Sequence, residues 1–286
     1  MSNVKVVAVL GSGLMGCQVA LNAAKHGFKT YIWDISEDAL SKFDKWLSDY
    51  IAGRIKKGRI TKEEGDEWVK RLSATLSLGE AVSDADLVIE SVVENYEIKK
   101  GLIADCNKHI KPHCIIGTNS SAMPSSLFAE GMKDPSKLCN MHFFNPALVM
   151  ELVEVVKGPH TSQETIDTVM QVSRDMGKDP ICIMKEIDGF IVTKMVGVIQ
   201  RAAYELVEGG YCTPREFDTA MEKGLNHPMG PFRLMDLTGI DLAAGGWYAK
   251  WQSSKDPADK PPQFLIDQYL SGNYGRKTGK GWYDYS

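Results

Sequence analysis

The sequence has no apolar run of about 18 residues, the least a helix needs to cross a bilayer, so no helical membrane span is available. It has no CxxC pair. None of Cys17, Cys106, Cys114, Cys139, Cys182 and Cys212 stands beside a histidine at ligand spacing, which argues against structural zinc or any other metal centre. Scattered in this way, the cysteines read as small buried apolar residues of a reducing compartment. There is no excess of positive charge: 33 Lys and Arg face 37 Asp and Glu, a net −4, unlike a protein that coats nucleic acid. No internal repeat and no low-complexity stretch occurs. The opening MSNVKVVAVLGSG enters a strand-like run at once, which leaves no room for a signal or transit peptide, so the chain as given reads as cytoplasmic. What is there is ordinary core-forming composition, 43% hydrophobic and 24% charged over 286 residues. That length suits one large domain or two modest ones and buries a core without disulfides.

The first half alternates short apolar runs with amphipathic stretches. Strands are expected at 4–11, 30–34, 74–78, 86–92, 114–119, 138–144, 152–158 and 181–185. Most are continuously apolar, as in strands covered on both faces by helices. The intervening stretches, such as 18–27 and 125–132, read as crossover helices. This is the α/β pattern of a doubly wound, Rossmann-type sheet, with the direction of the last strands left open. One connection is too long for a crossover. The segment of about 37–72 holds EDALSKFDKWLSDYIAGRI and KEEGDEWVKRL joined by KKGRIT, an inserted helical hairpin. Beyond about 185 the strand-like runs stop. FIVTKMVGVIQRAAYELVEGG has helical periodicity and ends on two glycines, and TPREFDTAMEKG starts with Thr213 as N-cap and Pro214 in the first turn. The expected division is a nucleotide-binding domain over 1–185 and an all-α C-terminal domain over 186–286, with the Gly-rich tail SGNYGRKTGKGWYDYS packing back as a loop.

Gly11-Ser12-Gly13-Leu14-Met15-Gly16 is a GxGxxG that follows the first strand and opens the first helix. Gly11 permits the tight turn, Gly13 lets a pyrophosphate approach the backbone, and Gly16 lets helix and sheet pack closely. The N–H groups from Leu14 and Met15 onward and the helix dipole face the phosphates. Asp34 ends the second strand, where a carboxylate accepts from ribose hydroxyls and repels a 2′-phosphate. Ile35 and Ser36 follow it, with no basic residue, so NAD is favoured over NADP.

Alcohol oxidation by a nicotinamide needs a base for the hydroxyl proton, and imidazole suits it near neutral pH. His26 sits at a helix end, His109 and His113 flank a polar turn, and His160 lies in a PHTS turn expected to be solvated. His142 differs. It lies in MHFFNP at the end of an expected strand, where sites open on α/β sheets. Glu154 interrupts the apolar run LVEVV, where an unpaired carboxylate is costly to bury. Beside an imidazole it fixes the tautomer and favours the imidazolium. The residues alone leave two readings open, a base with its carboxylate partner or a structural histidine and a solvent-facing edge glutamate.

Taken together, GSGLMG, VEN (93–95) with Lys99, TNSSAMP (118–124), MHFFNPALVMELVEVV (141–156), DGFIV (188–192), HPMGPFRLMDLTGIDL (227–242) and GRKTGKGWYDY (275–285) resemble, in order and over nearly the whole chain, the L-3-hydroxyacyl-CoA dehydrogenases, including 3-hydroxybutyryl-CoA dehydrogenases. The resemblance implies an NAD-dependent oxidation of (S)-3-hydroxyacyl-CoA to 3-oxoacyl-CoA, with a short acyl chain as the default. It implies His142 as general base, Glu154 as its supporting carboxylate, and Ser121 near the substrate oxygen. It places Asn145 toward the nicotinamide and Glu94, Lys99 and Lys277 at the cofactor. For Lys277 a solvated tail charge is the other reading. One departure stands out: after GFIV, where the family has asparagine, this chain has Thr193, a shorter β-branched residue with one hydroxyl in place of an amide.

The hairpin carries Arg54, Lys56, Lys57, Arg59 and Lys62. The resemblance implies that this arm meets the anionic groups of coenzyme A, with Lys57 and Arg54 as candidates. The alternative is a solvated basic turn balanced by Glu63, Glu64, Asp66 and Glu67. The family also implies a homodimer through the helical domain. Two rivals remain: a dehydrogenase of a free hydroxy acid, like the gulonate dehydrogenases, and a non-catalytic NAD-binding structural protein.

Overall fold

The computed structural model describes residues 2–286 and divides into two compact units, one ending at Phe190 and the other running Ile191–Ser286. The first unit contains β1 (Val6–Leu10), α1 (Leu14–Lys25), β2 (Lys29–Trp33), α2 (Glu37–Lys56), α3 (Lys62–Lys70), β3 (Leu72–Thr75), α4 (Leu78–Val82), β4 (Leu87–Glu90), α5 (Tyr96–Cys106), β5 (Ile115–Thr118), β6 (Leu138–Phe143), β7 (Leu152–Val156), α6 (Gln163–Asp175) and β8 (Asp179–Ile183). Its eight strands form one sheet in the order β3-β2-β1-β4-β5-β6-β7-β8. All pairs are parallel except β6 with β7, which is antiparallel. The direction that the sequence left open is therefore a local reversal: the chain turns back after Phe143 and runs down beside the strand it has just left.

The alternation along β1 divides the core. Val7 and Val9 pack with α1, α2 and α6 residues such as Leu21, Phe43 and Val169. Ala8 and Leu10 pack on the other face with Val88, Ile103, Ile116 and Phe128. This two-sided burial is why the strands read as unbroken apolar runs. Three local expectations are corrected. The stretch 125–132 is a 3-10 helix, Ser125–Gly131, rather than a crossover α-helix. The third strand ends at Thr75, because Ser77 accepts from the Glu80 N–H and caps α4. The last strand begins at Asp179 and includes Pro180, which the sheet edge tolerates because one side of the strand needs no ladder donor. The inserted hairpin is α2 and α3, the latter closed by a Thr61–Glu64 capping box.

The second unit is helical: α7 (Val192–Glu208), α8 (Pro214–Gly224), α9 (Pro231–Thr238), α10 (Ile240–Ser254) and α11 (Gln263–Leu270). Thr213 caps α8 and Pro214 opens it. Tyr204, Phe232, Met235 and Leu265 form its core, with Trp282 packed against them. Two buried carboxylates fasten the tail. Asp236 accepts the N–H groups of Trp282 (2.9 Å) and Tyr283 (3.0 Å) and the Tyr285 hydroxyl (3.0 Å). Asp218 accepts the Tyr283 hydroxyl at 2.7 Å and caps α9 through the Phe232 and Arg233 N–H groups. No described helix is long and apolar enough to cross a membrane.

Candidate active site

The glycine loop is shaped by close approach. A Cβ on Gly16 would lie 1.8 Å from the Gly11 carbonyl oxygen, and one on Gly11, at φ 102°, would lie 2.6 Å from the Ser91 carbonyl oxygen. Both positions exclude any other residue. A Cβ on Gly13 would meet nothing within 4 Å, so the space beside it is open. Gly13 is the N-cap of α1 and provides no side-chain cap. The first helical bond is Cys17 N–H to Gly13 O, which leaves the N–H groups of Leu14, Met15 and Gly16 to an anion. Asp34 stands beside this opening. Its Oδ2 accepts the Ser12 N–H and hydroxyl, each at 2.8 Å, and its Oδ1 accepts the Ser36 N–H at 3.1 Å. An open phosphate seat and an anchored acidic residue fit a dinucleotide without a 2′-phosphate.

His142 is on β6 and Glu154 is its direct cross-strand neighbour on β7. In an antiparallel ladder such partners share one face. His142 Nδ1 lies 2.9 Å from Glu154 Oε2, with the glutamate side chain fully buried and the histidine 8% exposed. Glu154 is thus not a solvent-facing edge residue: β7 is an interior strand between β6 and β8. The imidazole is flanked by Phe144 at 4.5 Å and Phe190 at 5.7 Å between centroids, an apolar surround. With Nδ1 held by the carboxylate, Nε2 is the nitrogen left for a proton exchange, and it has no bond among the described residues.

The segment after β5 passes close by. Asn119 accepts the Phe143 N–H at 2.7 Å and donates to Ser91 Oγ at 3.1 Å, tying this loop to the residue after His142. Asn140 holds the loop from beneath, accepting the Ser125 N–H at 2.8 Å and donating to the Met123 carbonyl at 2.9 Å. Glu186 adds the Ser125 hydroxyl at 3.0 Å and the Ser126 N–H at 2.9 Å, which keeps the segment up to Phe190 with the first unit. The two serines differ. Ser120 is buried, donates to Glu94 and accepts the Met123 N–H. Ser121 is half-buried, and its hydroxyl makes no bond among the described residues.

Asn145 is exposed, with its Oδ1 3.5 Å from Gln18 Nε2 of α1. Lys99 is buried and paired with Glu90 and Glu94. On the hairpin, Lys62 pairs with Asp66 and Glu67 with Arg71, while Arg54 lies over the Tyr50 ring at 5.9 Å. Lys57 is exposed with no ion pair among the described residues. Of the balancing acids, Asp66 and Glu67 are held in ion pairs and Glu64 in the Thr61 capping box. Thr193 and Lys277 belong to the second unit. Thr193 is exposed in the first turn of α7, and Lys277 pairs with Asp241 at 2.5 Å.

Other candidate groups fall away. Burial pushes the Cys17 thiol up to about 11 and those of Cys114 and Cys139 to about 12, so none is a thiolate near neutral pH. His160 is not solvated as expected. Both ring nitrogens are buried, and burial lowers its pKa, with the nearby Glu186 carboxylate and the Leu138 backbone acting in the opposite sense.

Comparison with known proteins decides the family. Residues 6–187 match the family model described as "3-hydroxyacyl-CoA dehydrogenase, NAD binding domain", and residues 189–285 match "3-hydroxyacyl-CoA dehydrogenase, C-terminal domain". The chain belongs to the 3-hydroxyacyl-CoA dehydrogenase family. Among its relatives is the human mitochondrial hydroxyacyl-coenzyme A dehydrogenase, 34% identical over 99% of this chain and 91% of that one. Another is the 3-hydroxyadipyl-CoA dehydrogenase of Escherichia coli K12, 34% identical over the whole of this chain and 60% of that one. The crystal structure of (S)-3-hydroxybutyryl-CoA dehydrogenase from Ralstonia eutropha superposes with a TM-score of 0.91 at 30% identity, covering 99% and 100% of the two chains. As a 3-hydroxyacyl-CoA dehydrogenase the protein is an NAD-dependent oxidoreductase. Its open glycine loop and Asp34 are the features that suit that cofactor. The buried carboxylates Glu90, Asp218 and Asp236 escaped the sequence reading. Glu90 had carried the same signal as Glu154, an acid inside an apolar run, DLVIE.

Proposed function

We propose that this dehydrogenase interconverts (S)-3-hydroxyacyl-CoA and 3-oxoacyl-CoA of short chain, such as the four-carbon thioester. The observation that carries the reading is the buried pair of His142 and Glu154, with Nε2 left open. Bound NAD supplies the hydride acceptor. On oxidation, the hydroxyl proton passes to His142 Nε2, and Glu154 holds the tautomer and stabilises the imidazolium. The Ser121 hydroxyl holds the substrate oxygen, Asn145 faces the nicotinamide side of the cofactor, and Glu94 contacts the cofactor. In the reverse direction the imidazolium returns its proton to the new alkoxide. Lys57 meets a coenzyme A phosphate as a point charge. Short chains are favoured because no extra lipid-binding segment is visible in the chain.

The setting we infer is a cytoplasmic homodimer. Six unbridged cysteines suit a reducing compartment. Met195, Val198 and Leu206 of α7 and Leu237 of α9 are exposed apolar residues that a second copy would cover.

The test is NADH oxidation with acetoacetyl-CoA beside free acetoacetate. Turnover only with the thioester supports the coenzyme A reading. Turnover with the free acid instead favours a hydroxy-acid dehydrogenase. NADH binding with no turnover of either marks a protein that keeps the cofactor fold without the activity.

A further inference from the structure

We propose that Glu90 is a positioning residue of the cofactor site, acting through Lys99 and Glu94. The inference rests on the reading that Glu94 faces the cofactor. Glu90 is the last residue of β4 and is fully buried. Its Oε1 accepts the Lys99 ammonium at 2.7 Å and the Val92 N–H at 2.8 Å, and its Oε2 accepts the Thr118 hydroxyl at 2.6 Å. Lys99, 1% exposed, spends its remaining donors on the Val92 carbonyl at 3.3 Å and on Glu94 Oε2 at 3.3 Å. Glu94 is the open end, with its side chain 40% exposed, and it also accepts the Ser120 hydroxyl.

Two carboxylates thus share one ammonium, and the only one that solvent or ligand can reach is Glu94. The cluster joins the ends of β4 and β5, the start of α5 and the loop that carries Ser121. Ser91, the next residue, is the one whose carbonyl crowds Gly11 of the phosphate loop. A buried ion pair adds little to stability beyond what apolar residues of the same volume give, so stability alone does not account for it. What the arrangement does supply is a fixed position for Glu94. Without Glu90, Lys99 would swing toward Glu94 and draw its carboxylate inward.

The experiment is a double-mutant cycle with Glu90→Gln, Glu94→Gln and both together. NADH affinity is read by fluorescence well below each melting temperature, and KM for NADH and kcat are read with acetoacetyl-CoA. Each single variant is expected to weaken NADH binding about tenfold, with the loss read in KM for NADH more than in kcat, and the double to be no weaker than about tenfold rather than about a hundredfold. A purely structural glutamate would lower the melting temperature and leave the affinity of the folded protein alone. Wild-type affinity in folded Glu90→Gln, or losses that multiply in the double variant, would overturn the proposal. Should Glu90→Gln not fold, Thr118→Val removes one donor from the same carboxylate without a change of charge. A rise of about threefold in the NADH dissociation constant is then expected, and no rise sinks the idea. A wild-type protein that does not bind NADH would instead remove the cofactor reading itself.

Discussion

Replacing Glu154 by glutamine keeps the shape of the buried pair and removes its charge. The carboxylate lies 2.9 Å from His142 Nδ1 and is fully buried, so solvent does little to screen it. Two unit charges about 4 Å apart interact by about 4 kcal/mol at the effective dielectric of about 20 that fits most protein sites. The amide oxygen can still accept from Nδ1, which retains part of that stabilisation. A loss of about 2–4 kcal/mol of imidazolium stabilisation corresponds to a fall in kcat of about 30- to 900-fold. The assay is steady-state NADH formation from NAD and (S)-3-hydroxybutyryl-CoA, the direction in which the imidazolium forms. Thermal melting serves as the control for folding, and NADH binding as the control for an intact cofactor site. KM for NAD should hold within about threefold, since Glu154 is not placed at the cofactor. Glu154→Asp keeps the charge and shortens its reach by one methylene, so its kcat should fall between the two. A folded Glu154→Gln protein with kcat within about threefold of wild type would refute the role given to the pair.

Thr193→Asn puts in place the amide that the resemblance implies at this position. It is expected to raise kcat with acetoacetyl-CoA about tenfold, the worth of one added hydrogen bond, and unchanged kinetics would mark the threonine as neutral. Asp236→Asn weakens the three bonds that fasten the tail and should cost about 2 kcal/mol in urea unfolding, with a wild-type midpoint as the contrary result. Burial lowers the pKa of His26 and of His160 below the ordinary 6.5 in the folded state. The unfolded chain therefore binds these protons first. Stability should be full above about pH 6.5 and fall as the pH drops below it, and His160→Asn should flatten that slope between about pH 7.5 and about pH 5.5. Urea midpoints measure this, and an unchanged slope would show that His160 is not held neutral.

The glycine loop and the inserted hairpin were legible because each is a local pattern: a fixed glycine spacing, a stretch too long to cross over. The pairing of His142 with Glu154 was one of two readings the residues left open, its signal a carboxylate inside an apolar run, and the register of β6 on β7 decides it. Glu90 offered that last signal too, but its partner Lys99 looks like an ordinary surface lysine of an amphipathic helix, and only the packing of α5 on β4 makes it a buried one. Asn119 and Asn140 were missed for a related reason. Their work is to bond backbone groups of distant loops, and such partners leave no trace in neighbouring residues. The 3-10 form of 125–131 depends on tertiary bonds from Asn140 and Glu186 to Ser125, which apolar periodicity does not encode. Whether Lys57 meets a ligand or only solvent was not legible, because helical spacing and the Thr61 cap settle the partners of Lys62, Asp66, Glu67 and Arg71 but say nothing of Lys57.

The reversal between β6 and β7 makes the reacting pair insensitive to the length of the stretch that joins the strands. Its register is set by the ladder from Asn140 opposite Val156 to Phe143 opposite Val153, not by residues 144–151. That connection can gain or lose residues, and with them reshape what borders the histidine, while the imidazole and carboxylate stay face to face. Slippage is the opposite case. A shift of one residue would carry Glu154 to the other side of the sheet and leave the base without its anion, so substrate range can drift here by degrees while catalysis is kept or lost in one step.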